Sequence, residues 1–157
     1  MKNRKKRSKK VRILHLWNFS EVIKAVPYLR SIIGSLRESW LDVLNTQRQL
    51  ERVTKEKKPS CTQKIIEVEA RRDENERAQS TFNEALRELN DIDVFLLEPV
   101  KGLALVPFRK EDDLAWYVFD HFAPRGLIGW RYHSDPIEAC RPLTMVPDAF
   151  THGAVAS

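Results

Sequence analysis

Five side chains with acid–base or ligand chemistry stand close together in sequence, within and just after the last predicted strand. They are Arg131, His133, Asp135, Glu138 and Arg141. A histidine with carboxylates two and five residues away can bind a metal ion or move protons. The spacing matches no specific motif, and a surface histidine beside ordinary turn acids is the alternative. This polar cluster is therefore a candidate site to which the sequence assigns no catalytic residue, no metal and no cofactor.

A second pair of the same kind is Asp120-His121, in a predicted loop, and the same two interpretations apply to it. The sequence contains no G-x-x-x-x-G-K-[ST], G-x-G-x-x-G, G-x-S-x-G or C-x-x-C motif. Each of those motifs would indicate a nucleotide-binding, hydrolase or redox site. Their absence makes an enzyme the less favoured class without excluding it.

Positive charge is concentrated at the start of the chain. Residues 1–12 contain no acid and eight basic residues: Lys2, Arg4, Lys5, Lys6, Arg7, Lys9, Lys10 and Arg12. The remaining residues carry a net charge of −3, so the overall charge of +5 belongs to this leader. A basic arm can bind nucleic acid by releasing counterions from phosphates. A disordered leader that contributes only solubility is the alternative.

Residues 20–90 predict a long antiparallel helical hairpin. Apolar residues recur at alternating three- and four-residue steps along its first helix, as in a heptad seam. These seam positions are Val26, Leu29, Ile33, Leu36, Trp40, Val43, Gln47 and Leu50. Ser20 is the expected N-cap, and Pro27 is expected to end or kink a short first segment.

The second helix is predicted from residue 61 to residue 90, after a break at residues 57–60. Its apolar residues cluster at its two ends and leave a polar middle. A turn near Pro59 sets Leu50 near Ile65 or Ile66, and it sets Val43 and Trp40 against the polar residues Arg72 and Asn75. Such an arm commonly pairs with a second copy or a partner, and a solvated helix laced with ion pairs is the alternative.

Residues 93–135 predict a small antiparallel meander and contain eight of the fourteen aromatic residues. The three main strands are expected at 102–108, 114–120 and 127–133, with a fourth at 93–97. A polar loop is expected at 109–113. Pro107 cannot donate to a ladder, so its strand is expected at an edge of the sheet, or the pairing is expected to end at Pro107.

Both faces of this predicted sheet are apolar, whereas a sheet with one face in water alternates apolar and polar residues. One face is expected to pack on the helices and the other on a second copy of the chain. The predicted interface residues are Trp116, Tyr117, Val118 and Phe119.

Several short motifs resemble a bacterial family catalogued as domain of unknown function 2203. They are Phe19-Ser20-Glu21, Val26-Pro27-Tyr28-Leu29-Arg30, Gly102-Leu103, and Trp130 with Arg141-Pro142-Leu143. The resemblance covers about residues 17–143 and implies the same helix, hairpin and short-sheet order. Members of that family commonly carry Trp-His-Glu in the last strand. This chain has Trp130-Arg131-Tyr132-His133 there, so the resemblance transfers no role for such a pair.

The sequence predicts a cytoplasmic protein with no membrane partner. No apolar run approaches the roughly 20 residues of a membrane-spanning helix. The two cysteines, Cys61 and Cys140, are too few for a disulfide framework and indicate free thiols. One α+β domain at residues 13–143 is expected, with a flexible tail at 144–157.

Three classes of function follow. The first is a non-enzymatic interaction or structural module that forms a homodimer through the sheet or the helical hairpin. The second is a nucleic-acid- or ribosome-associated protein that uses the basic arm. The third is a small metal-dependent enzyme at the polar cluster.

Overall fold

The chain folds into two long helices followed by a four-stranded sheet in a computed structural model, which describes residues 13–56 and 62–143. The elements are α1 (Phe19–Lys55), α2 (Thr62–Asp91), β1 (Phe95–Glu98), β2 (Leu103–Lys110), β3 (Asp113–Asp120) and β4 (Leu127–Tyr132). This order confirms the α+β prediction of a helical hairpin followed by an antiparallel meander. The predicted leader at 1–12, the break at 57–60, Cys61 and the tail at 144–157 lie outside the described residues.

Helix α1 is capped by Asn18, so the prediction of a cap at Ser20 is wrong. Asn18 Oδ1 accepts a hydrogen bond from the backbone N–H of Glu21 (2.8 Å), and Glu21 Oε1 accepts one from the N–H of Asn18 (3.2 Å). This reciprocal pair is a capping box, and it satisfies two backbone donors together. A cap at Ser20 would place Ile23, which has no acceptor, at the corresponding position.

Helix α1 continues through Pro27, so the expectation that a short first segment ends there is wrong, while the alternative of a kink stays a prediction. An interior proline costs about 3 kcal/mol, because it removes a backbone hydrogen bond. Val22 and Leu29, on either side of it, are fully buried. Burying each of these side chains contributes roughly 1.5–3 kcal/mol, so packing offsets the local cost.

The two helices form the predicted antiparallel hairpin, and its middle is polar. Asn75 is buried in the seam and donates to the Val43 carbonyl (3.3 Å) and to Thr46 Oγ1 (3.1 Å). Gln79 Nε2 donates to Asn75 Oδ1 (2.7 Å). The expected contact of Val43 with Asn75 is therefore present, while Arg72 is exposed.

The distal end of the hairpin differs from the prediction that Ile65 or Ile66 packs near Leu50. Both isoleucines are exposed, by 59% and 63%. The seam positions of α2 there are instead Lys64 and Val68, which are half-buried. The Lys64 ammonium crosses to α1 and donates to the carbonyl of Glu56.

The sheet has the strand order β1-β2-β3-β4, and all neighbours are antiparallel. The predicted loop at 109–113 is shorter than expected, because β2 and β3 pair as far as Lys110 and Asp113. Glu111 and Asp112 alone form the turn, with Glu111 at a φ of 55°. Arg109 holds the turn by donating to the Glu111 carbonyl (2.7 Å) and to Asp112 Oδ1 (3.0 Å).

Pro107 lies where β2 has no strand partner on its β1 side, because β1 reaches only to Leu105. The backbone N–H of Trp17 donates to the Pro107 carbonyl (2.8 Å) from that side. On the other side the pairing with β3 continues past Pro107. The expectation that this strand lies at a sheet edge is therefore wrong, because β2 lies between β1 and β3, whereas the alternative that pairing ends near Pro107 holds on the β1 side only.

One face of the sheet packs on the helices and forms the core. The sheet contributes Ala104, Val106, Phe108, Ala115, Tyr117, Phe119, Leu127 and Trp130, and the helices contribute Val22, Leu29, Ile32, Ile33, Leu36 and Leu89. Between Leu36 and Phe82 no described helix residue belongs to this cluster. Residues 41–55 and 62–81 therefore form an arm, about 22 Å long on its α1 side and about 30 Å on its α2 side at 1.5 Å per residue, and residues 13–40 and 82–143 form the body.

Candidate functional site

The polar cluster after β4 is built around one ion pair. Arg141 Nε donates to Asp135 Oδ2 (2.9 Å) and Arg141 Nη2 donates to Asp135 Oδ1 (3.1 Å), a bidentate arrangement. The backbone N–H of Tyr132 also donates to Asp135 Oδ2 (2.9 Å). The hydrogen bonds from Arg141 and then from Tyr132 lower the pKa of Asp135 to about 2. Asp135 is therefore a carboxylate at neutral pH with both oxygens occupied.

The same pair attaches the end of the described chain to the sheet. The Arg141 guanidinium lies over the rings of Tyr132 (4.9 Å) and Trp130 (5.4 Å). Its backbone pairs with Trp130 in both directions, through hydrogen bonds of 2.6 Å and 2.9 Å. Arg131 is buried and donates to the Asp135 carbonyl (2.6 Å). Together, these contacts of Arg131, Asp135 and Arg141 attach the segment after β4 to the outer edge of that strand, and we call them the β4 lock.

In the described part of the chain, His133 and Glu138 form no hydrogen bond or ion pair with Arg131, Asp135 or Arg141. His133 Nδ1 accepts a hydrogen bond from Trp116 Nε1 (3.1 Å), on the second face of the sheet. Glu138 is exposed. Among residues 13–56 and 62–143, no three histidine, cysteine, aspartate or glutamate side chains are grouped so that they hold a metal ion. Of the five residues, only Arg131, Asp135 and Arg141 contact one another. Their hydrogen bonds hold the segment after β4 against the sheet.

Asp120 and His121 are likewise engaged in structure. Asp120 Oδ1 accepts a hydrogen bond from the N–H of Phe122 (2.9 Å). The His121 ring fills the space beside Gly34 of α1, where a Cβ would lie 2.7 Å from Cε1. Arg30 donates to the His121 carbonyl (2.8 Å). This loop therefore clamps α1 against the end of the sheet.

The four predicted interface residues lie on different faces. Tyr117 and Phe119 are fully buried beneath the helices, and burial strongly raises the pKa of Tyr117. Val118 is buried and Trp116 is half-buried on the second face. Tyr117 and Phe119 therefore pack the core, and only the other two residues face outward from it.

The second face is partly covered by the protein's own residues. The Trp116 ring makes an edge contact with Phe95, with 5.7 Å between ring centroids. A Cβ on Gly129 would lie 2.4 Å from Cys140 Sγ, so the segment after β4 packs directly onto this face. The prediction that a second copy covers this face stays a prediction.

Exposed apolar side chains also occur on the arm and beside its base. On the arm they are Leu41, Leu44, Ile65 and Ile66. The heptad pattern predicts the α1–α2 seam but not this second surface, because it places Ile65 or Ile66 in the seam. The adjacent pair Ile65-Ile66 is a usable signal, since neighbouring residues on a helix cannot both face one partner helix.

A second exposed group lies where the arm leaves the body, and we call Val100 and Phe122 the root patch. Phe122 is 60% exposed, and its ring lies 5.0 Å below the Arg37 guanidinium. Arg37 Nε donates to the Val100 carbonyl (2.8 Å). Arg37 therefore joins α1 to both loops at this end of the sheet.

Two further sequence predictions concern the basic leader and membrane-spanning helices. The eight basic residues of the leader lie outside the described residues, so the nucleic-acid hypothesis stays a prediction. Across the described part of the chain, no helix combines the length and apolar character that crossing a bilayer requires.

Comparisons with protein-family models, curated proteins and solved structures find no match to this chain. The resemblance to domain of unknown function 2203 therefore stays a prediction that rests on its short motifs.

Proposed function

We propose that this protein is a non-enzymatic interaction module that self-associates through its helical arm. The observation that carries the proposal is the exposure of Leu44, Ile65 and Ile66 on an arm whose own seam is polar around Asn75. Grouped exposed apolar side chains on a soluble protein commonly mark an interaction surface. A cytoplasmic location is part of the same proposal, because the chain has only two cysteines.

Binding to a partner stabilises the arm more than it stabilises the body. Within the arm, Val43, Val53 and Asn75 are the only buried residues that the structure describes. Helices depend mainly on tertiary packing of an apolar face for their stability. Burying a leucine or isoleucine fully contributes roughly 1.5–3 kcal/mol, so a partner that covers the exposed residues stabilises the arm as it binds.

The two other candidate surfaces support the proposal less well. In the polar cluster, Asp135 already accepts hydrogen bonds from Arg141 and Tyr132, and its pKa of about 2 makes it a weak base for a substrate proton. The second face of the sheet is partly covered by Trp116, Phe95 and the segment at Cys140. The arm carries four exposed large apolar side chains, at Leu41, Leu44, Ile65 and Ile66.

Sedimentation velocity on the full chain and on two matched variants tests the proposal. Leu44 is 41% exposed on the arm and Ile23 is 44% exposed on the body, both within α1. We expect a dimer at tens of micromolar concentration, loss of the dimer in Leu44→Asp, and retention of it in Ile23→Asp. A monomeric full chain, or equal effects of the two substitutions, contradicts the proposal.

A second candidate function, nucleic-acid binding, is favoured by the segregation of charge in the sequence. Eight basic residues and no acid occupy positions 1–12, while the rest of the chain is net acidic. Gel shifts with the full chain and with residues 13–157 test it. We expect binding by the full chain that weakens steeply with salt, and none by the shorter chain. Equal binding by both contradicts it.

A further inference from the structure

One side of the arm carries a regular pattern of charged and apolar side chains. Arg37, Leu44 and Glu51 recur at seven-residue intervals along α1. Each directly follows a residue that is buried or half-buried: Leu36, Val43 and Leu50. A seven-residue interval is nearly two helical turns, so the three side chains lie on one side of α1. The order along this side is positive, apolar, negative.

Ile65 lies on this same side of the hairpin. It directly follows Lys64, which faces α1 because its ammonium donates to the Glu56 carbonyl. Each residue advances by about 100° around a right-handed helix. The two helices run in opposite directions, which reverses the sense of this advance, and they also face each other, which reverses it again. The two reversals cancel, so the residue that follows a seam position lies on the same side of the hairpin in both helices. Ile65 therefore shares a side with Leu44, level with the last turn of α1.

Leu44 stands near the midpoint of this side. At 1.5 Å per residue, Arg37 and the root patch lie about 10 Å from Leu44 toward the body, and Glu51 lies about 10 Å away toward the distal end. Ile65 lies slightly beyond Glu51. The two ends of this surface are therefore complementary. The cation of Arg37 and the exposed ring of Phe122 lie at one end, and the anion of Glu51 and the side chain of Ile65 lie at the other.

We propose that two copies of the chain pair arm to arm, antiparallel, with Leu44 at the two-fold axis. This inference rests on the proposed function and specifies its geometry. Rotation about that axis sets Arg37 of each copy opposite Glu51 of the other, and it brings Ile65 toward the root patch of the other copy. One surface thus contacts itself, as a two-fold interface requires.

The charges favour this orientation over a parallel one. Arg37 uses only Nε in its bond to the Val100 carbonyl, so its two terminal nitrogens can donate to a carboxylate. Glu51 Oε1 accepts from Gln47 Nε2 (3.3 Å), which leaves Oε2 for another donor. A parallel pair places Arg37 against Arg37 and Glu51 against Glu51, and like charges across an interface are unfavourable.

Distances between spin labels on the two copies test the orientation. The labels are attached in turn to Arg52→Cys and Lys55→Cys, in a full chain that carries Cys61→Ser and Cys140→Ser; both labelled positions are exposed. In the antiparallel pair, a residue n positions from Leu44 lies about 3n Å from its copy, so we expect about 24 Å at position 52 and about 33 Å at position 55. A parallel pair gives roughly 10 Å at both.

Sedimentation of the same samples separates the possible failures. A dimer with equal distances at the two positions overturns the antiparallel geometry and leaves the proposed function standing. A dimer with no dipolar coupling at either position places the interface away from the arm and overturns both. A monomer overturns the self-association on which the inference rests.

Charge reversal provides an independent readout. We expect Glu51→Arg alone and Arg37→Glu alone to weaken association by roughly tenfold or more. An equimolar mixture of the two variants restores every opposite-charge pair and should associate as well as the unmodified chain. A parallel interface predicts no weakening by Glu51→Arg, because wild type already places like charges together there, and that result contradicts the proposal. Thermal unfolding of each variant controls for loss of the Arg37 contact with Val100.

Discussion

The body and the arm are built from consecutive parts of the same two helices, yet they are held together differently. In the body, α1 contributes five buried side chains to a core that contains stacked and edge-on rings such as Phe108, Tyr117 and Trp130. In the arm, two valines and Asn75 are the buried residues that the structure describes. The body is stabilised by apolar burial, whereas the arm is aligned by hydrogen bonds and leaves apolar surface for a partner.

This difference separates stability from interaction within one chain. Burial of aromatic and aliphatic side chains dominates folding free energy. A buried asparagine in a helical seam costs stability but specifies which residues face each other. The arm therefore keeps a defined register with few apolar contacts, and its outward residues remain available.

The largest expected effect lies in the body and concerns a residue that the sequence assigned to an interface. Phe119 is fully buried, so Phe119→Ala should lower the free energy of unfolding by about 3–5 kcal/mol. Chemical denaturation followed by circular dichroism measures it. An unchanged unfolding free energy together with loss of the dimer would place Phe119 at an interface. That result would contradict the distinction between a body stabilised by burial and an arm that binds a partner.

A smaller effect is expected where body and arm join. Gly34→Ala should destabilise the fold by about 1–3 kcal/mol, because the new Cβ would lie 2.7 Å from the His121 ring. In a His121→Ala background the same substitution should stabilise it by up to about 1 kcal/mol, since alanine is the better helix former. The double-mutant cycle measures the difference. Additive effects would show that His121 does not set the position of α1.

A substitution in the seam of the arm is expected to raise the free energy of unfolding instead of lowering it. Asn75→Leu should raise the free energy of unfolding by about 1 kcal/mol, because it replaces a buried polar group that costs stability. Thr46 Oγ1 still donates to the Asp42 carbonyl (2.7 Å), and Gln79, which loses its bond to Asn75, is exposed to water. Denaturant unfolding measures the gain. A loss of more than about 2 kcal/mol would show that the arm depends on Asn75 for stability as well as for register.

The smallest effect concerns the β4 lock, and it depends on pH. The pKa of Asp135 falls from 3.8 to about 2 on folding, so its contribution to stability is present above pH 3.8 and is lost as the pH falls through about 2. Asp135→Asn should therefore be less stable than the unmodified chain at pH 7, and the two should converge between pH 4 and pH 2. Parallel unfolding curves across that range would contradict the assigned ion pair.

Some features are predictable from local pattern because their causes are local. The period of the apolar residues predicts the two helices, and the short apolar runs between turn residues predict all four strands in the correct order. The contact of Val43 with Asn75 follows from the heptad register. Errors arise where a local signal competes with packing or with a second local signal: Pro27 stays inside α1, Asn18 replaces Ser20 as the cap, and charged Glu111-Asp112 forms a tighter turn than expected.

By itself, the sequence determined the order of the elements, the segregation of charge and the polar middle of the hairpin, because these depend on residue type and spacing. Only the tertiary structure decided what the candidate residues do. Asp135 and Arg141 pair with each other while His133 contacts Trp116, and Tyr117 and Phe119 pack beneath the helices while Ile65 and Ile66 stay outside. The physical reason is that burial and partner choice depend on groups distant in sequence, and folding alone brings those groups into contact.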